Sequence, residues 1–285
     1  CRAVLALTND EETNLAVAIA VRLLNPSLAV IARGRTPSVT ANMASFGTDH
    51  IINPFARFAE HLALAVAAPE RFRLIELLTA LPETPLPEPH RPPRGHWILC
   101  GYGRFGHFLA DHLRPAGIEL TIIDPECNPE QLANSLNGHG TEAQTLRQAG
   151  IERSTGIIAG SDNDVNNLSI AVTAAELKPS LFVVARQNHN VNGPLFDAYG
   201  ADFTMVPSRI VAQECIAILT TPLLAAFLDL LRDRDEAWSS ALAGRLQALG
   251  SGLTPAVWGL KLNISEAQGA YRALMQGRRI ALGEI

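Results

Sequence analysis

The sequence is poor in cysteine, in aromatic residues and in charge, and each shortage excludes a class of protein. Its four cysteines, Cys1, Cys100, Cys127 and Cys215, form no CxxC pair and have no histidine-rich neighbours. That spacing argues against a zinc site or a disulfide framework and fits a reducing compartment. Charged residues make up 18%, the formal net charge is -5, and no run of clustered Lys or Arg occurs. A nucleic-acid partner, which needs a basic face, is not expected. The most apolar stretch, Cys215 to Leu228, contains Pro222 and falls short of the about 20 residues of a membrane span. The chain opens with neither an initiator Met nor a signal-peptide pattern, and its first segment already reads as a buried strand, so a fragment of a longer protein is expected. With 285 residues and 47% apolar content there is room for two domains of the usual roughly 100–200 residues.

What is present, first of all, is a repeat at a constant offset of 153 residues. Asn14-Leu15 returns as Asn167-Leu168, Pro26-Ser27-Leu28 as Pro179-Ser180-Leu181, and Ala32-Arg33 as Ala185-Arg186. Gly47, Asp49, Pro54 and Pro69 fall on Gly200, Asp202, Pro207 and Pro222, and Leu77-Leu78 on Leu230-Leu231. In each copy an apolar strand (Ala3 to Leu7; Gly156 to Ala159) runs into a polar turn, TNDEETN or SDNDVNN, whose Thr, Ser, Asp and Asn suit the capping of the helix that follows. That helix stops near Asn25-Pro26 or Lys178-Pro179. A second strand (Ala29 to Ala32; Leu181 to Ala185) ends at an Arg, another helix ends at a Gly, and a third strand ends at Pro54 or Pro207. Strands alternating with helices predict βαβ units on a parallel sheet.

After each of those prolines comes a long apolar helix broken by Pro69 or Pro222, then a second helix. An ordinary core helix is one reading. The apolar residues are too many for a single buried stripe, which favours a crossover arm packed on another subunit. Between the copies, residues 79–95 read TALPETPLPEPHRPPRG, an extended, semi-rigid linker and the expected domain boundary.

Directly after that segment, His96 to Cys100 reads as a buried strand entering Gly101-Tyr102-Gly103-Arg104-Phe105-Gly106, which opens the apolar-periodic helix Phe105 to Leu113. A second strand, Glu119 to Ile123, ends in Asp124, near the spacing expected for a ribose contact. A bare GxGxxG is weak; the strand, helix and acid around it make it a dinucleotide loop. Gly101 permits the tight turn, Gly103 lets the backbone approach a pyrophosphate, and Gly106 allows close helix packing. Free N–H groups at the helix start face the phosphates. Asp124 is followed by Pro125 and Glu126 rather than Arg, so a 2′-phosphate would be repelled and NAD(H) or an adenine nucleotide (ATP, ADP or AMP) is expected.

With these residues in view the chain resembles the RCK (regulator of K⁺ conductance) or Trk/Ktr-type NAD-binding family. The likeness rests on GYGRFG, the Asp124 strand end, GTEAQTLRQAGI at 140–151, the acidic turn before Asn167, Ala185-Arg186, and the run from Gly200-Ala201-Asp202 to Pro207. It implies an α/β fold of tandem Rossmann-like, doubly wound parallel sheets with crossover helix pairs. Residues 1–78 would be the C-terminal half of a first copy with its crossover helices, 79–95 the linker, 96–231 a complete second copy, and 232–285 part of a small C-terminal lobe. That lobe contains Val257-Trp258-Gly259-Leu260-Lys261-Leu262 and the run from Gly277 to Gly283. Position by position, the resemblance places Gly101, Tyr102, Gly103, Phe105 and Gly106 about the diphosphate and Arg104 at a phosphate of its own or a neighbouring subunit. Asp124 with Pro125 would hold the ribose, and the Gly160 backbone with Ser161 the adenine side. Gly138-His139 stands where the family has Gly-Asp, so His139 replaces an expected acid.

Smaller signals remain. Asp10-Glu11-Glu12, and Asp162 with Asp164, are read as helix-capping acids in preference to a divalent-cation site. Arg33 and Arg186 recur at one strand end, to meet a phosphate or an interface carboxylate, or to lie in solvent. His61, His107, His112 and His189 have no partner at metal spacing. A hydride-transferring enzyme needs a substrate domain and a proton-handling group, for which the residues after 231 leave no room. The expectation is therefore a sensor: a cytoplasmic regulatory domain at the inner face of a membrane, assembled as homodimers in a ring. It would control a potassium pore or transporter, on the same polypeptide or another; the alternatives are the regulatory domain of a potassium/proton antiporter and, after that, an NAD-dependent oxidoreductase.

Overall fold

A computed structural model of the chain describes residues 3–86, 90–249, 252–259, 261 and 263–278. Cys1, Leu260, Leu262, the 279–283 part of the tail motif and residues 87–89 of the proline-rich segment lie outside the described residues. The chain packs as two compact units, residues 1–73 with 88–215, and residues 74–87 with 216–285.

In the first unit the first copy runs β1 (Ala3–Ala6), α1 (Glu11–Leu24), β2 (Ala29–Arg33), α2 (Pro37–Ser45), β3 (His50–Ile52), α3 (Pro54–Ala67) and the start of α4 (Pro69–Thr79). Its strands form a parallel sheet in the order β1-β2-β3. The second copy follows as β4 (His96–Cys100), α5 (Arg104–Leu113), β5 (Glu119–Asp124), β6 (Ser135–Asn137), α6 (Ala143–Gln148), β7 (Gly156–Ala159), α7 (Asp164–Leu177), β8 (Phe182–Arg186), α8 (Gly193–Tyr199), β9 (Phe203–Met205) and α9 (Pro207–Thr220). Its six strands are all parallel, in the order β6-β5-β4-β7-β8-β9. The central strands β4 and β7 are near-continuous apolar runs because helices cover both faces. Strand ends differ slightly from expectation: β1 stops at Ala6, and β2 and β8 include their terminal Arg.

The repeat holds at the level of single hydrogen bonds. Asn14 and Asn167 are both wholly buried. Asn14 Oδ1 accepts from the Thr8 N–H and hydroxyl, and its amide donates to the Thr8 and Arg33 carbonyls. Asn167 makes the same four bonds with Ser161 and Arg186. A buried amide is tolerated only when all its groups are satisfied, so each Asn staples a turn to the end of the neighbouring strand. Asp49 Oδ2 accepts the Val30 N–H, as Asp202 Oδ2 accepts that of Val183. Gly47 and Gly200 end the preceding helices at φ +74 and +71.

Helix α3 starts at Pro54, where the Asn53 side chain accepts the N–H groups of Phe55 and Ala56, and ends before Pro69. Its buried face, Phe55, Phe58, Leu62 and Val66 among others, joins one core with Leu99, Phe105, Leu109, Leu113, Ile122 and Met205 of the second copy. The ring of Phe105 lies 5.5 Å from that of Phe55 and 5.8 Å from that of Phe58. The arm expected to cross to another subunit thus packs on the second copy of its own chain. Across the same junction Arg57 Nε meets Glu214 Oε1 of α9 at 2.7 Å, while burial and nearby Glu60 push that carboxyl up against the lowering effect of Arg57.

The second unit holds the end of α4, α10 (Pro222–Leu230), α11 (Glu236–Leu249) and α12 (Gln268–Met275). Its core includes Leu74, Leu77, Leu78, Leu224, Leu231 and Ala243. Here the proline-rich segment is pinned: the Glu83 N–H donates to the Thr254 carbonyl, that of Thr254 to the Thr84 carbonyl, and Pro85 bridges Leu253 antiparallel. Among the described residues no helix is long and apolar enough to cross a membrane.

Candidate functional site

In a doubly wound sheet the ligand crevice lies beyond the carboxyl ends of the strands, where the strand order reverses. Here the reversal falls between β4 and β7. Gly101 leaves β4 at φ +98, a conformation that L side chains rarely adopt, and a Cβ there would lie 3.1 Å from the Gly160 backbone at the end of β7. A Cβ on Gly106 would sit 2.2 Å from the Gly101 carbonyl oxygen, so the loop closes on its own backbone. A Cβ on Gly103 would meet no protein atom within 4 Å. Gly103 is also the N-cap of α5 and supplies no side-chain cap, which leaves the helix-start N–H groups directed at that space. This cradle fits a phosphate group.

Asp124 ends β5 and turns back to the loop: Oδ2 accepts the Tyr102 N–H at 2.6 Å and Oδ1 the Glu126 N–H at 2.8 Å. Two backbone N–H groups fix the carboxylate while leaving lone pairs for further donors. Pro125 is held through its carbonyl by Asn137 at the end of β6. Gly138 donates to the Asp124 carbonyl at 3.4 Å, and His139 opens a turn closed by the Glu142 N–H, with its side chain exposed. Gly140 packs against Cys100 at the end of β4, where a Cβ would come within 2.5 Å of the sulfur. Burial pushes that thiol up to about 12, so Cys100 is a packing group rather than a nucleophile. The thirteen residues assigned to the site from the sequence lie at the carboxyl ends of β4, β5, β6, β7 and β8, in the loops leaving them or, for Arg104, Phe105 and Gly106, in the first turn of α5, where the Phe105 ring is buried in the core.

Arg186 belongs to the junction between the copies. Its guanidinium stacks 4.7 Å over Phe55 and 5.5 Å over Phe105, and Nη1 donates to the Gly160 carbonyl at 3.4 Å. Burial lowers it to about 10, with Arg104 and Arg35 acting in the same sense and Asp162 and Asp164 against them. The solvated reading is corrected for Arg33 as well, which is 8% exposed and donates to Asn9 Oδ1.

The acidic turns divide their labour in a way the capping reading missed. Asp10 caps α1 through the N–H groups of Glu12 and Thr13, and Asn163 caps α7 through that of Asn166. Glu11 and Asp164 do not cap. Asp164 accepts the N–H groups of Asn188 and His189 and the side-chain amides of Asn188 and Asn192. Glu11 accepts those of Arg35 and Thr36 and the Thr36 hydroxyl on Oε2, and on Oε1 it meets Arg104 of the glycine loop at 3.3 Å. For both, desolvation raises the carboxyl pKa, but the hydrogen bonds prevail and hold it below its ordinary value. Among the described residues no group of three His, Cys, Asp or Glu could hold a metal ion. His107, given no role from the sequence, stacks 4.0 Å from the Tyr102 ring and bonds the Gly103 carbonyl through Nδ1, bracing the loop from below. Its position one turn into α5 was the available signal.

The family described as "TrkA-N domain" matches residues 1–54 and 97–207, so both copies are recognised. The chain is similar to Potassium channel protein 1 of Methanocaldococcus jannaschii, 28% identical over 148 residues, covering 50% of this chain and 44% of that protein. It therefore spans less than half of that relative's length. Among solved structures it is similar in fold to GsuK bound to ADP, with a TM-score of 0.57 and 23% identity over 76% of this chain and 51% of that one. The GsuK channel bound to NAD gives a TM-score of 0.60 and 18% identity at the same coverage.

Proposed function

This chain belongs to the TrkA-N domain family, and on that premise we propose that it is a regulatory, nucleotide-sensing module that controls potassium movement through a channel or transporter. The observation that carries the reading is the cradle after β4. An uncapped helix start, an open Gly103 and a loop closed by Gly106 lie beside the acid that ends β5, which accepts the Tyr102 N–H of the same loop at 2.6 Å. The ligand is NAD(H) or an adenine nucleotide. Its phosphates lie on the N-terminus of α5 against Gly101, Gly103, Gly106 and Arg104, and its ribose hydroxyls donate to Asp124. The base lies toward Gly138 and His139 on one side and Gly160 and Ser161 on the other. The titles of the GsuK structures name ADP and NAD, and the Methanocaldococcus jannaschii relative is named a potassium channel; these names support the assignment.

Residues 96–231 act as the sensing copy and 1–78 as its intramolecular partner. The module is not an enzyme: it works by binding, as a homo-oligomer on the cytoplasmic face of a membrane pore. Ligand acts only through a difference in affinity between two arrangements of the copies. Calorimetric titration of the full chain with NAD⁺, NADH, ATP, ADP and AMP, repeated with Asp124→Asn, tests the reading. Saturable binding of one of them, weakened by the substitution, is expected. Binding of none would leave a scaffold with a Rossmann shape.

A further inference from the structure

Glu11 and Asp164 occupy the same place in the two copies, at the first residue of α1 and of α7, and each receives two successive backbone N–H groups, from the segment after β2 and after β8 respectively. The difference is one methylene. On Glu11, Oε2 alone takes both backbone N–H groups, which on Asp164 are shared between Oδ1 and Oδ2, and this leaves Oε1 to reach across to the second copy. There it meets Arg104 Nη1 at 3.3 Å and lies 3.5 Å from Arg35 Nε.

Positive charge gathers around this oxygen, with Asp162 and Asp164 as the other acids near Arg186. Arg33, Arg35, Arg104 and Arg186 all converge on this junction, and the Nε groups of Arg33, Arg35 and Arg186 are buried without a hydrogen-bond partner. Asp164 is committed to four N–H donors. Glu11 is the carboxylate with an oxygen turned to the guanidinium that flanks the phosphate cradle. Arg104 is half exposed and is the first residue of α5, so it can face either Glu11 or a phosphate on the helix start.

We propose that Glu11 is a built-in competitor for Arg104: it ties the first copy to the glycine loop and yields that guanidinium when a nucleotide diphosphate binds. The inference rests on the nucleotide reading above and adds the residue that links occupancy to the packing of the copies. Breaking the tie on binding supplies the differential contact that coupling requires. It also sets a preference, since the second phosphate of ADP competes for Arg104 better than the single phosphate of AMP.

The test is calorimetric titration of the full chain with ADP and AMP at one ionic strength, in wild type, Glu11→Gln and Glu11→Asp, each also in an Arg104→Gln background. Glu11→Asp keeps a carboxylate for the two backbone N–H groups, as Asp164 does with its two oxygens, and draws it back from Arg104, which guards against loss of fold in Glu11→Gln. The expected result is that Glu11→Gln tightens ADP about twofold to fivefold, the range of a half-exposed ion pair. Glu11→Asp should tighten it less, AMP should respond weakly, and the gain should vanish with Arg104→Gln. ADP binding that is unchanged or weaker in both Glu11 variants would overturn the proposal while leaving the nucleotide reading intact. Failure of the wild type and of every variant to bind would remove both.

Discussion

Around the turns that follow β1 and β7 the two copies share a frame of hydrogen bonds and differ in what is built on it. Asn14 and Asn167 make the same four bonds, and Asp49 and Asp202 each receive the matching strand N–H. Glu11 and Asp164 then diverge, one reaching out of its copy and the other staying within it. The glycine loop is present in the second copy alone among the residues of this chain. The comparison separates two kinds of residue: those that repeat maintain the fold, and those that do not repeat make the two copies do different things.

The largest expected effect breaks the packing that joins the copies. Phe55→Ala removes a ring buried against Phe105 and Arg186 and should cost about 3–5 kcal/mol in chemical denaturation. The equivalent position in the second copy is Ser208, exposed, where Ser208→Ala should change little. Next come Asn14→Ala and Asn167→Ala. Each strands buried backbone groups and should cost about 2–4 kcal/mol by the same measurement, in similar amounts because the bonds are the same. A much milder Asn14 variant would show that the two frames are not equivalent.

The loop sharpens the contrast between fold and ligand. Gly106→Ala pushes a Cβ onto the Gly101 carbonyl and should weaken nucleotide binding at least about tenfold, or about 1.4 kcal/mol. Gly103→Ala meets no protein atom, so thermal melting should stay near wild type while titration shows affinity falling. If both variants bind as wild type, the cradle is not the site. The smallest effect is on pH. The carboxyl pKa values of Glu11 and Asp164 are lowered from 4.5 and 3.8 in the folded chain, so their stabilisation is full above those values and is lost as pH falls through the lowered ones. Glu11→Gln and Asp164→Asn should each flatten the acid limb of a curve of stability against pH.

Much of this was legible in the chain. The repeat offset, the prolines that end strands and break helices, and a glycine loop between a strand and an amphipathic helix are local signals, and the elements fall where they indicate. The crossing of α3 was legible as excess apolar surface, but its target was not, because nothing local says which sheet will bury Phe55 and Phe58. Glu11 was read as a cap because acids at a helix start usually are. Its bridge to Arg104 depends on how two segments 93 residues apart meet in space. Only the Glu-for-Asp exchange at an otherwise repeated position hinted at it. The burial of Arg33 and Arg186 was hidden for the same reason: the rings that cover Arg186 come from both copies.

The burial of α3 under the second copy also bears on how the chain is made. A ribosome completes α3 well before it reaches Met205, which closes the core that receives the helix. At roughly 5–20 residues per second, the apolar face of α3 waits about 7–30 s for its sheet. During that interval the nascent chain carries an amphipathic helix with no native cover, so chaperone capture, or pairing with a neighbouring chain on the same polysome, competes with folding.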